Sequence, residues 1–288
     1  MALRLIEGIG DLVPSYDGVI LDLWGVVHDG TRPFPGALDA MRALVAAGKR
    51  VVLLSNAPRR ADDVSRRIAQ IGVPRELYHA VMSSGEEAWQ HLRRRDEPFY
   101  RALGRACLHI GSERDLEIRE GLDLAFVDDP GAAEFILNTG PALWEDTVAD
   151  YAPVLGAAQA RFLPMVCANP DRIVIHAGRS ALCAGALAEH YEAIGGRVRW
   201  HGKPYPAIYR SCLALLGIAD RRRILAIGDS LSTDIAGAAA AGIDSLLIAG
   251  GVHEAEFSAG GRLDLDRVAA ALAATEMQPI AVARRFAW

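Results

Sequence analysis

The sequence is poor in cysteine and has no long apolar run. Its four cysteines, Cys107, Cys167, Cys183 and Cys212, show no CxxC spacing, so neither a zinc ribbon nor a disulfide framework is indicated. No stretch approaches the roughly 18 apolar residues of a membrane-spanning helix, and the start, MALRLIEGIGDL, is too short and too acidic for a signal peptide. We therefore expect reduced core cysteines, a cytoplasmic location and no membrane partner.

The chain also lacks an excess of positive charge. Its 31 lysines and arginines are outnumbered by 36 aspartates and glutamates, which gives a net charge of -5. Binding to a nucleic-acid backbone requires a basic surface, whereas the arginines here are mixed with acids, as in RRADDVSRR, or lie at the ends of predicted helices and strands. A nucleic-acid partner is therefore not expected.

Two common nucleotide-binding signatures are missing as well. No GxGxxG follows the first predicted strand, and AAGKR lacks both the upstream glycine and the Ser/Thr of a P-loop. The letters GDSL at 228–231 open a serine-esterase signature with Ser230 as the nucleophile, but that family places the block near its N-terminus. No Asp-x-x-His follows the block here, so the esterase interpretation is disfavoured.

What the sequence does contain is a regular alternation of short apolar runs with helical patterns. Segments 18–23 and 50–55 are predicted strands, and segments 36–48 and 61–72 are predicted helices that end in glycine. The same alternation returns with predicted helices at 206–217 and 233–242 and predicted strands at 223–229 and 244–251. Such a pattern indicates a parallel sheet covered by helices on both faces, so we expect both ends of the chain to form one α/β core with a Rossmann-like doubly wound sheet.

The middle of the chain has elements of its own. Strands are predicted at 106–111, 124–127 and 134–138, and helices at 142–160 and 181–196. We interpret this region as a large α/β cap domain inserted into the core. The predicted boundaries are 1–83 and 199–288 for the core domain and 84–198 for the cap domain.

Polar side chains follow several of the predicted strands. Asp22, Ser55 and Asp229 each end an apolar run, and Asp234 and Lys203 lie in the polar motifs IGDSLSTD and HGKPYPAIY. Ligands of open parallel sheets bind beyond the carboxyl ends of the strands, so these groups can converge although they are far apart in sequence. Carboxylates, a hydroxyl and an ammonium are the groups needed to hold magnesium and a phosphoryl group.

These motifs resemble those of the haloacid dehalogenase superfamily. The matching stretches are DLWGVVHDGTRPFPGA, VVLLSNAPRR, CANPD, HGKPYPAIY and IGDSLSTDIAGA, and they run in the family's order over nearly the whole chain. The chain looks like subfamily IIA, the branch of NagD-like and p-nitrophenyl-phosphatase-like sugar phosphatases, whose large α/β cap lies between the second and third motifs. The resemblance implies a phosphatase that acts on a small phosphorylated metabolite.

The resemblance also implies catalytic and phosphate-binding roles. Asp22 would be the nucleophile that attacks phosphorus and forms an aspartyl-phosphate, which water later hydrolyses. Ser55 and the backbone around Asn56 would donate hydrogen bonds to the phosphoryl oxygens, and Lys203 would neutralise their charge. Gly25 would let the backbone turn tightly around the phosphate.

The same resemblance implies a magnesium site. Asp22, Asp229 and Asp234 would supply carboxylate oxygens, with Asp234 binding either directly or through water, and Trp24 would supply its backbone carbonyl. Magnesium suits these hard oxygen ligands and would screen the repulsion between Asp22 and a phosphate.

Further residues have two open interpretations each. Asn169 and Asp171 in CANPD match a cap motif of the family and are expected to face the substrate entrance, although Asx-Pro is also an ordinary turn signal. Arg59 and Arg60 could meet a substrate anion or lie on a solvated helix face. A homodimer formed through the cap is suggested by the resemblance alone.

Trp24 departs from the family pattern. Phosphatases of this family usually have a second aspartate two residues after the nucleophile, and its side chain protonates the leaving group and then activates water. Either a neighbour such as His28 or Asp29 supplies the proton, or the protein handles activated leaving groups or another reaction. The alternative function is a catalytically weak or inactive protein that binds a phosphorylated ligand and has a regulatory role.

Overall fold

The computed structural model describes residues 4–176, 179–259, 262–275 and 277–288. They form two units. The described residues of the first unit lie within 4–55, 64–82 and 203–288, and those of the second unit lie within 56–63 and 83–202. Residues 56–63, 83 and 199–202, which the sequence-based boundaries assigned to the core domain, therefore belong to the second unit. The assignment of the units as core and cap domains stays a prediction.

A seven-stranded sheet organises the first unit. Gly18–Asp22 lies near its middle, with all five residues buried, and is flanked by Ile224–Gly228 on one side and Arg50–Ser55 on the other. Both pairs are parallel, which confirms the predicted parallel core. The full strand order is Leu5–Ile6, Ala281–Ala283, Asp244–Ile248, Ile224–Gly228, Gly18–Asp22, Arg50–Ser55 and Ala80–Ser83.

Helices connect these strands. Pro206–Leu216, for example, packs Ile208 and Cys212 against the sheet. The α-helices are Ala37–Ala46, Ala61–Gln70 (its residues from 64 onward), Pro206–Leu216, Ala236–Ala241, Glu254–Phe257 and Leu265–Thr275. Shorter elements are the 3-10 turns Val13–Ser15, Arg75–Leu77 and Arg221–Arg223 and the strand pair Ser258–Ala259 and Arg262–Leu263.

The register of the sheet brings the predicted strand-end groups to one edge. Asp22 pairs with Leu54, so Ser55 lies one position beyond it on the neighbouring strand. Leu21 pairs with Ile227, which places Asp229 just past the end of the other neighbouring strand. Parallel pairing therefore aligns the carboxyl ends that carry Asp22, Ser55 and Asp229.

The second unit has its own parallel five-stranded sheet. Its strand order is Arg197–Trp200, Pro164–Cys167, Phe135–Asn138, Ala106–Ile110 and Ala125–Val127. The α-helices are Ser84–Arg94, Pro98–Arg101, Val148–Ala160 and Ala184–Ala193, and Glu113–Arg119 is 3-10. An antiparallel hairpin joins Ile173–His176 to Arg179–Leu182. The predicted mixed α/β character of the middle region is thus present.

Two predicted helices differ in detail from the structure. The helix predicted over 142–160 begins only at Val148, because Thr147 and Asp150 form a capping box that fixes the first turn there. The helix predicted from 233 begins at Ala236 and is preceded by a π-helical turn, Leu231–Ile235. That turn lies in the motif with Asp234 and bears on the site.

Each unit has a core of buried apolar side chains. None of the helices within residues 4–176, 179–259, 262–275 and 277–288 is long and apolar enough to cross a bilayer.

Each of the four cysteines carries a buried thiol, and burial raises the pKa of Cys107, Cys167 and Cys183 to about 12. These thiols pack as small apolar groups.

Replacing a core phenylalanine of the second unit should destabilise it strongly. Phe135 is fully buried at the start of the central strand Phe135–Asn138, so Phe135→Ala removes packing and leaves a cavity. We expect a loss of about 3–5 kcal/mol in the free energy of unfolding, measured by urea titration. Phe162→Ala is the matched control, because Phe162 is 81% exposed. Equal losses for the two variants would contradict the packing described.

Candidate functional site

Four charged residues meet in the interior of the first unit. Asp22, Asp229, Asp234 and Lys203 are each at most 6% exposed. One carboxylate oxygen from each aspartate lies within 4.8 Å of the others. The structure thus brings together the predicted nucleophile, the predicted metal ligands and the predicted phosphate-binding lysine.

Lys203 links two of the carboxylates. Its Nζ donates to Oδ1 of Asp22 at 2.6 Å and to Oδ1 of Asp234 at 2.8 Å. Burial alone would lower the pKa of Lys203, but the attraction of Asp22 and Asp234 outweighs burial and holds that pKa well above its usual value. Lys203 is therefore a fixed positive charge at this position.

Burial and mutual repulsion destabilise the ionised forms of two of the aspartates. Burial raises the pKa of Asp22 well above its usual value, and repulsion from Asp234 adds to the effect. Burial, with repulsion from Asp234, raises the pKa of Asp229 to about 7. A single ammonium cannot neutralise three buried carboxylates, so the ionised cluster carries an excess of two negative charges.

The cluster fits a divalent cation. Three buried carboxylates whose oxygens lie within 4.8 Å of one another form the hard, anionic donor set that magnesium or calcium prefers. A charge of +2 would also balance the excess of two negative charges. Asp22, Asp229 and Asp234 are therefore the residues that could hold such an ion.

Backbone groups and glycines position Asp229. Its Oδ2 accepts a hydrogen bond from the Val252 amide at 2.6 Å. A Cβ at Gly25 or at Gly251 would collide with the same oxygen, and Gly25 has a φ of +86°, which favours glycine. Sequence reasoning gave Gly25 a tight-turn role but missed the Val252 amide, because no motif reveals a backbone donor more than twenty positions away.

Tyr209 positions Asp234 and was also missed as a functional residue. Asp234 lies in the π-helical turn Leu231–Ile235, and its backbone carbonyl accepts a hydrogen bond from the Tyr209 hydroxyl at 3.1 Å. π-helical turns are uncommon and often occur at functional sites. Tyr209 is 1% exposed on helix Pro206–Leu216, which begins three residues after Lys203. Its position within HGKPYPAIY was the available signal.

The loop after Asp22 holds Trp24 in a defined position. The Trp24 ring covers Gly30 so closely that a Cβ there would collide with it, and the edge of the ring meets His28 at a centroid distance of 5.7 Å and 73° between planes. Trp24 is nevertheless 43% exposed. The departure from the family pattern is therefore an anchored, accessible indole.

His28 and Asp29 are committed to the backbone of this loop. Nδ1 of His28 accepts a hydrogen bond from the Gly30 amide at 2.9 Å, and burial lowers the pKa of His28 to about 4. Oδ1 of Asp29 accepts from the amide and the hydroxyl of Thr31, and these bonds, with one from the Arg32 amide, lower the pKa of Asp29. Neither residue has the environment of a group that donates protons near neutral pH.

Three of the predicted substrate-binding residues belong to the second unit. Asn56 Nδ2 donates to Asp171 Oδ1 at 2.8 Å, and Asn169 Oδ1 accepts from the Asp171 amide at 2.9 Å. The second contact is an Asx turn, the structural alternative for CANPD. Asn169 also lines a cavity of about 60 Å³ with Thr139 and Trp144. Their substrate contacts stay a prediction.

Arg59 and Arg60 are mostly buried rather than solvated. Arg59 Nε lies 3.1 Å from Asp115 Oδ1, and Arg60 Nε lies 2.7 Å from Glu86 Oε2. The Arg60 guanidinium also stacks over the Trp89 ring at 3.5 Å from its centroid. Both arginines thus form ion pairs inside the second unit, so the expectation of a solvated helix face is wrong.

Family models match both ends of the chain. A model of haloacid dehalogenase-like hydrolases matches residues 19–125, and a second model, of HAD-hydrolase-like sequences, matches residues 200–275. The first match contains Asp22, Trp24 and Ser55, and the second contains Lys203 and both aspartates of the last motif. All the charged residues of the buried cluster therefore lie in matched segments.

Individual relatives match over most of their length. Chronophin of Bos taurus is 30% identical over 268 residues, which are 88% of this chain and 90% of that protein. The ribonucleotide monophosphatase NagD of Escherichia coli strain K12 is 27% identical over 239 residues, 81% of this chain and 88% of that protein. A solved haloacid dehalogenase-like hydrolase of Brucella suis 1330 is 36% identical, with a TM-score of 0.82, over 98% of this chain and 99% of that one.

Tyr209→Phe should weaken cation binding while the protein stays folded. The change removes the hydroxyl that satisfies the buried Asp234 carbonyl, so the turn carrying Asp234 loses a support. We expect magnesium binding to weaken about 5- to 30-fold, measured by titration calorimetry.

Tyr16→Phe is the control for this prediction. The Tyr16 hydroxyl donates to Asp244 Oδ2 at 2.7 Å, at the other end of the same sheet, so its loss should lower stability without changing magnesium affinity. Unchanged magnesium affinity in Tyr209→Phe would mean that Tyr209 does not position Asp234.

Proposed function

Because the chain belongs to the haloacid dehalogenase-like hydrolases, we propose that it hydrolyses the phosphoric monoester of a small metabolite through an aspartyl-phosphate on Asp22. Membership confirms the resemblance that the sequence motifs carry. NagD and other relatives are named phosphatases, and the chain is a hydrolase of this phosphatase type. What we propose beyond this is the aspartyl-phosphate intermediate, magnesium as the metal and a small phosphorylated metabolite as the substrate.

The buried cluster of Asp22, Asp229, Asp234 and Lys203 carries this proposal. A carboxylate oxygen of Asp22 forms a bond to phosphorus, the ester P–O bond breaks, and the leaving oxygen departs with the electron pair. Lys203 already holds Asp22 by a 2.6 Å hydrogen bond and places a fixed positive charge beside the developing negative charge. Ser55, one position beyond the partner of Asp22 on the next strand, supports the phosphoryl group with its hydroxyl.

Magnesium is the proposed cofactor. Asp22, Asp229 and Asp234 would hold it, together with the backbone carbonyl of Trp24, and it would supply positive charge that offsets the repulsion between Asp22 and a phosphate. The chain's own contribution is to fix these oxygens. Val252 orients Asp229, and Tyr209 supports the turn that carries Asp234.

Hydrolysis of the aspartyl-phosphate completes the proposed cycle. Water attacks phosphorus, the bond to the Asp22 oxygen breaks, and phosphate is released with a proton lost from the water. Trp24 has no group that could accept this proton. We therefore expect this step to proceed without general base assistance from position 24, which is commonly worth about 10²- to 10⁴-fold in rate.

The remaining expectations are part of the proposal. Asn56, Asn169 and Asp171 are proposed substrate contacts of the second unit, supported by the position of Asn169 on a cavity. The buried thiols support a reducing, cytoplasmic location. A homodimer stays a prediction.

Asp22→Asn should abolish turnover. The variant keeps the shape of the side chain but removes the nucleophile, so we expect magnesium-dependent phosphate release from a panel of phosphorylated metabolites to fall by about 10³-fold or more. Acid-quenched wild-type protein should carry phosphate on Asp22, detected by mass spectrometry of the peptide.

Asp29→Asn is the matched control. It lies in the same loop, and an amide oxygen can accept the same turn hydrogen bonds, so turnover should be retained. Magnesium-dependent binding of phosphate or metal fluoride, with no turnover and no phosphorylated Asp22, would overturn the proposal in favour of a phosphate-binding protein.

A further inference from the structure

Glu87 is a buried carboxylic acid that the proposed mechanism does not use. It lies in the first turn of helix Ser84–Arg94 and is 1% exposed. Its Oε2 accepts a hydrogen bond from the Gly202 amide at 3.1 Å, whereas its Oε1 has no hydrogen-bond partner among the residues that the structure describes. A buried acid that is only partly satisfied costs stability, which points to a role other than stabilising the core.

His201 lies against the same carboxylate oxygen. Its Nδ1 is 3.1 Å from Oε2 of Glu87, and its Nε2 is hydrogen-bonded to the Tyr100 hydroxyl. Glu87, His201 and Tyr100 are all at most 2% exposed. The two residues that directly precede Lys203 in the chain therefore both contact Glu87, one through its ring and the other through its backbone amide.

Close packing restricts Gly202 as well. Its φ is +101°, which favours glycine, and a Cβ there would collide with Asn56 and Ser84. Ser84 Oγ lies 2.6 Å from the Asn56 carbonyl oxygen, to which it can donate, so these neighbours are themselves held in place. The backbone just before Lys203 is thus fixed by packing on one side and by the hydrogen bond to Glu87 on the other.

We propose that Glu87 is a positioning residue for Lys203: it holds the Gly202 amide and thereby sets the point from which the lysine side chain extends. This inference rests on the proposed function, because Lys203 acts there on the transferring phosphoryl group. The Lys203 ammonium donates to Asp22 and Asp234 at 2.6 and 2.8 Å, and a displaced backbone would lengthen at least one of these bonds. A misplacement of about 1 Å can cost about 100-fold in rate.

Two variants separate the length of the Glu87 side chain from its charge. Glu87→Gln keeps the length and an oxygen that can accept the Gly202 amide hydrogen, so kcat/KM for magnesium-dependent phosphate release should stay close to the wild-type value. Glu87→Asp keeps the charge but is shorter by one methylene group, so kcat/KM should fall about 10- to 100-fold. The opposite order would show that Glu87 acts through its charge and would overturn the inference. Equal kcat/KM values in the two variants would also overturn it.

Tyr191→Phe is the control for lost stability. The Tyr191 hydroxyl donates to the Leu163 carbonyl at 2.7 Å, a buried hydrogen bond to the backbone elsewhere in the second unit. Its loss should lower the melting temperature, while kcat/KM of the folded protein stays unchanged. A fall in kcat/KM as large as that in Glu87→Asp would mean that destabilisation alone explains the effect.

A double-mutant cycle tests whether Glu87 acts through Lys203. The probe is inorganic phosphate, whose magnesium-dependent binding is measured by titration calorimetry. Glu87→Asp should weaken phosphate binding about 5-fold or more in the wild-type background but have no further effect in Lys203→Met, because the group that it positions is then absent. Independent, additive effects of the two changes would overturn the assignment.

The outcomes separate this inference from the proposed function. Turnover that Asp22→Asn abolishes and Glu87→Asp leaves unchanged would keep the proposed phosphatase and overturn the role of Glu87. No turnover by the wild-type protein would overturn the proposed function, and the phosphate-binding cycle would still decide whether Glu87 positions Lys203. No turnover together with no magnesium-dependent binding of phosphate would overturn both.

Discussion

The double hydrogen bond from Lys203 to Asp22 and Asp234 is the interaction on which the site depends. Asp22 and Asp234 lie 181 and 31 positions from Lys203 in the sequence. The ammonium offsets part of the cost of burying these two carboxylates. The neighbouring elements serve this arrangement. Parallel register aligns the strand ends, and helix Pro206–Leu216 follows Lys203 and supplies Tyr209 beneath the last aspartate.

Much of this arrangement could be predicted from sequence, for a definite physical reason. Alternating apolar runs and helices determine a parallel sheet, and such a sheet gathers the polar residues that end its strands, so Asp22, Ser55 and Asp229 follow from pattern alone. Supports made by the backbone could not be predicted. The Val252 amide reaches Asp229 from a different loop, and the π-helical turn around Asp234 has no signature in LSTDI.

Two other sequence-based interpretations differ from the structure because local side-chain hydrogen bonds to the backbone decide the conformation there. Thr147 and Asp150 cap a helix that apolar periodicity alone would start earlier, because side-chain hydrogen bonds decide where a first turn begins. Asp29 was a candidate proton donor, but its carboxylate closes a turn through Thr31 and Arg32. In both places a side chain satisfies backbone groups, and the sequence pattern alone does not reveal this.

The convergence of three buried carboxylates links cation occupancy to the folding equilibrium of the first unit. The oxygens of Asp22, Asp229 and Asp234 converge only in the folded chain, so an ion that binds them there has no comparable site in the unfolded chain. Such an ion adds RT ln(1 + [ion]/Kd) to the free energy of unfolding, or about 2.7 kcal/mol at a hundredfold excess over Kd. The melting temperature of the protein therefore also reports the fraction of molecules whose acidic cluster holds an ion.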